Sequence, residues 1–489
     1  MKIKNIPEVI SAECRIVSSA NAHTFAEVTS VIDEKKAEEF LALAEQRQSV
    51  EIESDSGGLI MKGFVKDVLI KDKLSGMTAE MTIVSHSWKL QEQGKDRIFQ
   101  NPEKTAGDIL KSYPDVETGM CDKINEPIKE IIYQYQTDDF TFIKMLASRC
   151  DCGVFVTEDG KLQFGKTNSS DSIDSKSKDY KTSVLEKTVS ADKNNRKMSL
   201  FTPRQFLNGS EINADGRKYI ICSTEIHDEF DETHYLYTAH TNPVYEECPL
   251  SPAFLITVAK VTDNNDNEHL GRVQVEFTEF EDKDSEKTWI PVITGFTGKD
   301  DGGIIMLPDI DDVVIVCISG EQSYIMGSLR KNKLPDRCHD PVKKYIYIGK
   351  NLLVTEDEKV SFFQGENTEI VITQDSITAK TIDSCVTMNK EIISGELDKS
   401  KFSIEKENIS AKSDKSLLSV KPDSISAELE KSVVSVKKDN ISLKQNITEI
   451  SLESKKADIK SGKSELILDN GKTKLNGSSI DMSTQAMSK

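Results

Sequence analysis

From Lys359 to about Lys474 the chain repeats every sixteen residues, and that period limits what it can fold into. Ile377, Ile393, Ile409, Ile425 and Ile441 mark one position of the repeat. Nine residues further on come Val386, Phe402, Leu418, Val434 and Ile450, and two after those Met388, Ile404, Val420, Val436 and Leu452. A Ser or Thr precedes each pair: Ser384, Ser400, Ser416, Ser432 and Thr448. Apolar and polar residues alternate within each unit, as in Phe402-Ser-Ile404 and Val434-Ser-Val436, so the local period is two and the elements are short strands. A coiled coil would need recurrence every 3.5 residues, which is absent.

Each unit offers about four apolar side chains, and the region holds three aromatics, Phe362, Phe363 and Phe402. One such chain cannot bury enough apolar surface to offset the entropy of ordering its backbone. Either successive units stack into a single-chain solenoid, or several copies wind together around one core. Sixteen residues are short for a three-sided coil within one chain, which favours the shared core. Three copies are the natural number, because three strands enclose a slim prism that Ile, Val and Ala can fill. The fifteen residues of the three sets are then the trimer core of a stiff needle.

Residues 359–489 contain 20 Lys and 20 Asp or Glu, so the formal charge of −19 falls entirely on residues 1–358. That balance argues against a nucleic-acid partner and against attraction to anionic lipid. No apolar run reaches the length of a membrane span, and Met1-Lys-Ile-Lys-Asn-Ile-Pro7 has no signal-peptide core, so no stable membrane anchoring and synthesis in the cytoplasm are expected. Nine cysteines at scattered spacings agree with a reducing compartment. Cys150-Asp-Cys152 is the one close pair; without a nearby His it reads as structural thiols.

Residues 1–100 read as a first β-barrel, with strands at 50–52, 59–61, 64–70 and 79–84. A helix capped by Asp33 interrupts them, its apolar face set by Ala37, Phe40, Leu41 and Ala44. Residues 101–252 read as a helical insertion and a second β-barrel. Thr105 and Asp108 form a capping box, Thr137-Asp-Asp139 opens a helix, and a hairpin turns at Glu158-Asp-Gly160. The Ser/Lys/Asp-rich stretch 168–197 reads as an exposed loop or arm. Residues 253–335 suit a small Greek-key barrel of the OB type, with strands at 255–261, 271–277, 288–293, 303–307, 313–318 and 324–329. A linker, 336–358, leads to the needle, 359–489.

Patterns that would carry chemistry fail on spacing. Gly298-Lys299 lacks the Walker spacing and its hydroxyl. His227, His234 and His240 are seven and six apart and share no face of one helix or strand. There is no Gly-x-Ser-x-Gly, no His-Glu-x-x-His and no marked carboxylate pair. The expectation is a protein without catalytic site, cofactor or metal.

The ordered set Tyr133-Gln-Tyr-Gln-Thr-Asp-Asp-Phe140, Gly153-Val-Phe-Val156 and Asp159-Gly-Lys-Leu-Gln-Phe-Gly165 resembles the hub domain of VgrG-type spikes. His269-Leu-Gly-Arg-Val-Gln-Val275, Trp289-Ile-Pro-Val292, Leu307-Pro308, Asp312–Val316 and Ile325–Leu329 resemble the OB module that follows it. A repetitive β-needle comes next in that family too. The resemblance implies a mainly β fold: two hub β-barrels with helical insertions, an OB-fold barrel and a trimeric β-helix needle. It implies a structural spike of a contractile injection system, in a phage tail, a tail-like bacteriocin or type VI secretion, that joins tube and baseplate to an envelope-piercing needle. Valine-glycine repeats found in the family are absent; Ile-x-Ala and Ile-x-Leu alternation replaces them.

Two other classes fit parts of the sequence: a trimeric tail fibre or adhesin with the needle as stalk, and a tail-associated cell-wall hydrolase. The first lacks a distal binding domain, and the second a catalytic one. Expected partners are two further copies of the chain, tube and baseplate proteins at the hub, and a PAAR-like tip protein. The tip protein would meet Leu475, Ile480 and Met482, where neither His nor Cys is at hand to hold a metal.

Overall fold

The computed structural model describes the chain except for residues 75, 176–182, 230–231, 246–247, 249–252, 281, 284–286, 298–302, 321, 331, 480 and 482–489. The chain divides into two compact units, Met1–Lys331 and Asn332–Lys489. It is mainly β, as the sequence indicated.

The first unit is built on a 12-stranded sheet that draws on both halves of residues 1–252. The strands before residue 100 join the later ones where Ser11–Ser19 pairs antiparallel with Arg217–Glu229, Ile16 opposite Ile226. Strict alternation makes this possible: in Phe25–Ile32 every second residue, Ala26, Val28, Ser30 and Ile32, is buried. Asp33 accepts from the Lys35 amide ahead of the helix Ala37–Glu45, as expected. That helix buries Phe40 and Leu43 while Leu41 stays exposed, because its contact stripe against Leu59–Lys73 lies to one side of the expected face.

The expected features of the insertion are present. Thr105 and Asp108 form a capping box on Ala106–Leu110, Asp138 caps Asp139–Arg149, and Val154–Val156 pairs with Leu162–Phe164. The stretch 168–197 differs from the loop reading: Ser170–Ile173 and Glu186–Ala191 are strands. Glu186–Ala191 lies at the end of the sheet order and buries none of its residues, so no alternation marks it in sequence.

The five strands Trp289–Pro291, Arg272–Phe277, Phe254–Asp263, Val313–Ser319 and Gln322–Ser328 form one sheet in that order. A bridge between Val292 and Ile325 closes it into a barrel around Val261, Val273, Val275, Phe277, Val316 and Ile318, all fully buried. Asp266 sets the turn between the first two strands in sequence. It accepts the Glu268 and Leu270 amides and a two-pronged bond from the Arg272 guanidinium, at 2.8 Å on each oxygen. The expected strand at 303–307 is absent; Ile304, Ile305, Met306 and Leu307 are exposed and make no ladder.

The second unit is a 17-stranded antiparallel meander from Lys344–Ile348 to Lys472–Asn476, each strand paired with the next in sequence. From Ser376 onward strands begin every eight residues, so one sixteen-residue repeat is two strands and two turns. Among the described residues the sheet does not close on itself, and forms an open ladder in place of a single-chain solenoid. Beside its opening strands Cys338, in the turn Asp336–Cys338, forms a small core with Leu352, Val354, Tyr345 and Phe363.

Candidate assembly surface

Pairing register decides what each face of the meander carries. Ile404 stands opposite Ile409, Ile409 opposite Val420, Val420 opposite Ile425 and Ile425 opposite Val436. Ile377, Met388, Ile393, Ile441 and Leu452 extend the same row. A second row on the same face runs through Val386, Phe402, Leu418, Val434 and Ile450. All fifteen residues singled out from the repeat therefore share one face. Two of the three sequence positions merge into a single row, because the reversal of each hairpin brings them together.

The sequence reading missed the residues between members of the second row: Ala379, Gly395, Ala411, Ala427 and Leu443. Large and small alternate there as far as Val434, Val386 against Gly395 and Leu418 against Ala427, and Leu443 ends the alternation. Gly395 is the extreme case, for a Cβ added to it would lie 2.3 Å from Cε1 of Phe402, its cross-strand partner. The largest side chain of the row thus lies over the smallest. A continuous groove of about 1020 Å³ runs over these residues, with Val386, Phe402, Leu418 and Val434 in its floor.

This face is apolar and uncovered: thirteen of the fifteen residues are between 36 and 50% exposed, and Val420 and Ile450 are half-buried. Isolated exposed apolar residues are ordinary, whereas an unbroken strip of this kind marks an interface. The opposite face is mostly polar, with Leu417 and Val433 as apolar members. From Thr378 to Ser451 its middle row is Ser and Thr, with Ser403 and Ser410 hydroxyls 2.8 Å apart, flanked by cross-strand ion pairs such as Glu396–Lys401.

One edge of the meander is held by a column of left-handed residues. Asp398, Asp414, Glu430, Asn446 and Gly462 recur every sixteen residues with φ between 47° and 60°. Each amide from Asp414 to Gly462 donates to the carbonyl of the turn before it, at 3.2–3.3 Å. Positive φ is costly for Asp and Glu, so the column reflects tight turns that the stacking holds in place.

At the far end of the sheet Leu475 is 48% exposed in Lys472–Asn476, which among the described residues pairs only with Ser464–Asp469. Ile480 and Met482 lie outside the described residues, as do Gly298 and Lys299. His227 and His234, read as sharing no face, stand directly opposite each other in the hairpin of Arg217–Glu229 and Glu232–His240. His234 stacks on Phe201 and His227 contacts Glu225 at 3.1 Å, while His240 bonds Asn195. Cys150 gains a neighbour that spacing could not show, Cys121, whose thiol donates to the Cys150 carbonyl at 3.7 Å.

Residues 257–329 match the family described as the type VI secretion system/phage-baseplate injector OB domain. The barrel is what this family model matches. Its strands and closing bridge fall within or beside the matched span, and the match bears out the resemblance to VgrG-type spikes read from the sequence. No curated protein matches the chain. Among solved structures, the chain is similar to an Escherichia coli type VI secretion component described as structurally similar to the T4 bacteriophage tail proteins gp27 and gp5. The two are 15% identical over 67% of this chain and 99% of that one, with a TM-score of 0.47. A Francisella PdpA–VgrG complex is 11% identical over 81% of this chain and 75% of that one, with a TM-score of 0.44. A 43 kDa tail protein of prophage MuSo2 from Shewanella oneidensis is 11% identical over 47% and 93%, with a TM-score of 0.35.

Proposed function

We propose that this chain is one of three identical subunits of the spike of a contractile injection system, with the meander as the needle wall. The observation that carries the reading is the uncovered two-row apolar face, in a chain whose barrel also matches the injector OB family. Geometry favours three copies. A six-residue strand spans about 20 Å, which puts the axis of a three-sided prism roughly 6 Å from each wall. That is close to half the ~10 Å between packed sheets, whereas a four-sided tube would leave its axis about 10 Å away, beyond the reach of Val and Ala. The third inward row mixes Ser400, Ser413, Ser416 and Ser432 with Leu397 and Leu429, which stand more exposed than the two inner rows, as residues where two walls meet would in a single chain.

In this reading the fifteen apolar residues form the trimer core, the first unit meets tube and baseplate proteins, and no reaction is catalysed. The part is mechanical: the needle pierces an envelope, and sheath contraction supplies the force. The surface around Leu475, Ile480 and Met482 receives a PAAR-like tip protein that continues the prism.

Contractile particles purified from producing cells test the role. Particles lacking this chain should lack the spike and fail to inject. Deleting residues 475–489 should leave a trimer that no longer recruits a tip in pull-downs. Normal injection without the chain would overturn the spike reading, and unchanged tip binding after the deletion would overturn the tip surface alone.

A further inference from the structure

The 12-stranded sheet of the first unit holds one strand pattern twice. In its first half the hairpin of Ser11–Ser19 and Phe25–Ile32 lies beside that of Leu59–Lys73 and Gly76–Ser85, with Ser49–Glu53 paired to the start of Leu59–Lys73. In its second half the hairpin of Glu186–Ala191 and Arg196–Thr202 lies beside that of Arg217–Glu229 and Glu232–His240, with Glu211–Ala214 in the corresponding place. Chain order is the same in both, and so is fine detail. Leu59–Lys73 bulges between Val65 and Asp67, and Arg217–Glu229 between Ile221 and Ser223. Each then pairs without interruption to its hairpin end, Lys73 opposite Gly76 and Glu229 opposite Glu232. Residues 67–73 therefore correspond one by one to residues 223–229.

The two halves join where Ser11–Ser19 pairs with residues 223–227, past the end of Glu211–Ala214. The corresponding joint at the outer ends is empty. Among the described residues no strand pairs with residues 67–73 past the end of Ser49–Glu53, and none with the outer side of Glu186–Ala191. Such an edge is a template for an added strand.

We propose that this joint is filled between copies of the chain, Glu186–Ala191 of one copy adding antiparallel to residues 67–73 of the next, with Val189 opposite Ile70. The inference rests on the reading that identical copies assemble. Its register is that of the internal joint. Phe25 stands opposite both Val84 and Val17, and Lys197 opposite both His240 and Ser190, so Val17 corresponds to Ser190 and Ile16 to Val189. Ile16 opposite Ile226 thus becomes Val189 opposite Ile70, and Ser18 opposite Thr224 becomes Ala191 opposite Val68.

Burial separates the filled joint from the empty one. Ile16, Ser18, Thr224 and Ile226 are buried, whereas Val189 is 44% exposed, Ala191 is exposed, and Val68 and Ile70 are half-buried. Two further steps of the same register set Lys187 against Asp72 and Glu186 against Lys73, opposite charges both times. The like-charged step, Asp192 opposite Asp67, falls at the bulge, where the Asn194 and Asn195 amides donate to Asp192. Because the two edges differ, two copies would leave one of each unpaired, while a ring leaves none. The proposed trimer supplies that ring.

The test co-expresses two full-length chains, one with Ile70→Cys and the other with Val189→Cys, so that a link between positions 70 and 189 arises only between copies. Directly opposed strand positions lie within reach of a disulfide. After oxidation with copper phenanthroline, a non-reducing peptide map reads the link and native mass spectrometry the assembly. The expected result is a 70–189 link in trimeric protein and, with both substitutions in every chain, a covalent trimer on a denaturing gel. Leu69→Cys, on the other face of the sheet, should not link to position 189. Trimers that form without the 70–189 link, or with the link displaced to position 69, would overturn the joint and leave the needle reading standing. A chain that stays monomeric and unlinked would overturn both.

Discussion

Gly395 and Phe402 stand opposite each other on neighbouring strands, and the Phe402 ring occupies the space that a Cβ on Gly395 would need. One repeat later the same two positions hold Ala411 and Leu418, and one repeat after that Ala427 and Val434. The volume of each pair is shared out differently at every level, while the face stays continuous.

That relationship can be tested by exchange. Gly395→Val should destabilise the needle by about 1–3 kcal/mol per chain through overpacking. Phe402→Leu alone should cost a cavity. The pair Gly395→Ala with Phe402→Leu copies Ala411 and Leu418 and should recover most of the loss, with a coupling of roughly 0.5–3 kcal/mol between contacting residues. Thermal melts of the wild type, Gly395→Ala, Phe402→Leu and the pair form the double-mutant cycle that would show it, and strict additivity would contradict the packing described.

Replacing Ile409 and Ile425 by Asp places charges in the proposed shared core. Leaving a charge uncompensated in such a core costs several kcal/mol, and identical copies multiply the cost. The double variant should fail to trimerise on a sizing column. Both tryptophans, Trp88 and Trp289, lie in the first unit, so its unfolding can be followed separately by fluorescence and should be unchanged.

Glu430 adopts a φ of 51° in the edge column where the next two repeats place Asn446 and Gly462. Glu430→Asn should relieve part of the roughly 1–2 kcal/mol that a left-handed conformation costs an ordinary residue. The exposed Lys415–Glu430 pair lost with it, at 2.7 Å, contributes only ~0–1 kcal/mol. A small rise in needle melting temperature is expected, to be read by circular dichroism.

Much of the needle was legible because its period is short and its alternation strict: strand positions and the membership of the apolar face follow from spacing alone. Hairpin pairing was not legible, so the merging of Ile409 and Val420 into one row, and the match of Gly395 to Phe402, emerged only in three dimensions. In the first unit the caps at Asp33, Thr105 and Asp138 were visible because they are local. Glu186–Ala191 was hidden because an edge strand that buries nothing carries no pattern. Cys121 was hidden because tertiary folding, not sequence, brings it to Cys150. Ile304–Leu307 read as a strand from composition, yet its backbone finds no ladder.

His23 should make the first unit acid-sensitive. Burial, against the Phe140 ring at 3.8 Å, lowers its pKa from 6.5 to about 4, so the folded state prefers it neutral. Below pH 6.5 the unfolded chain binds the extra proton first. The stability contributed is therefore complete above that pH and is lost as pH falls towards about 4. The loss should be roughly 3 kcal/mol, at 1.36 kcal/mol per pKa unit. Denaturant melts followed at Trp88, whose ring lies 5.1 Å from His23, should show the acid limb, and His23→Phe should flatten it.

The central claim is that the apolar face is covered by other copies of the same chain. Native mass spectrometry of the purified full-length protein tests it most directly. The account predicts a species of three times the 54.6 kDa chain, formed without added cofactor. A stable monomer that retains the β-sheet spectrum of the needle would contradict it.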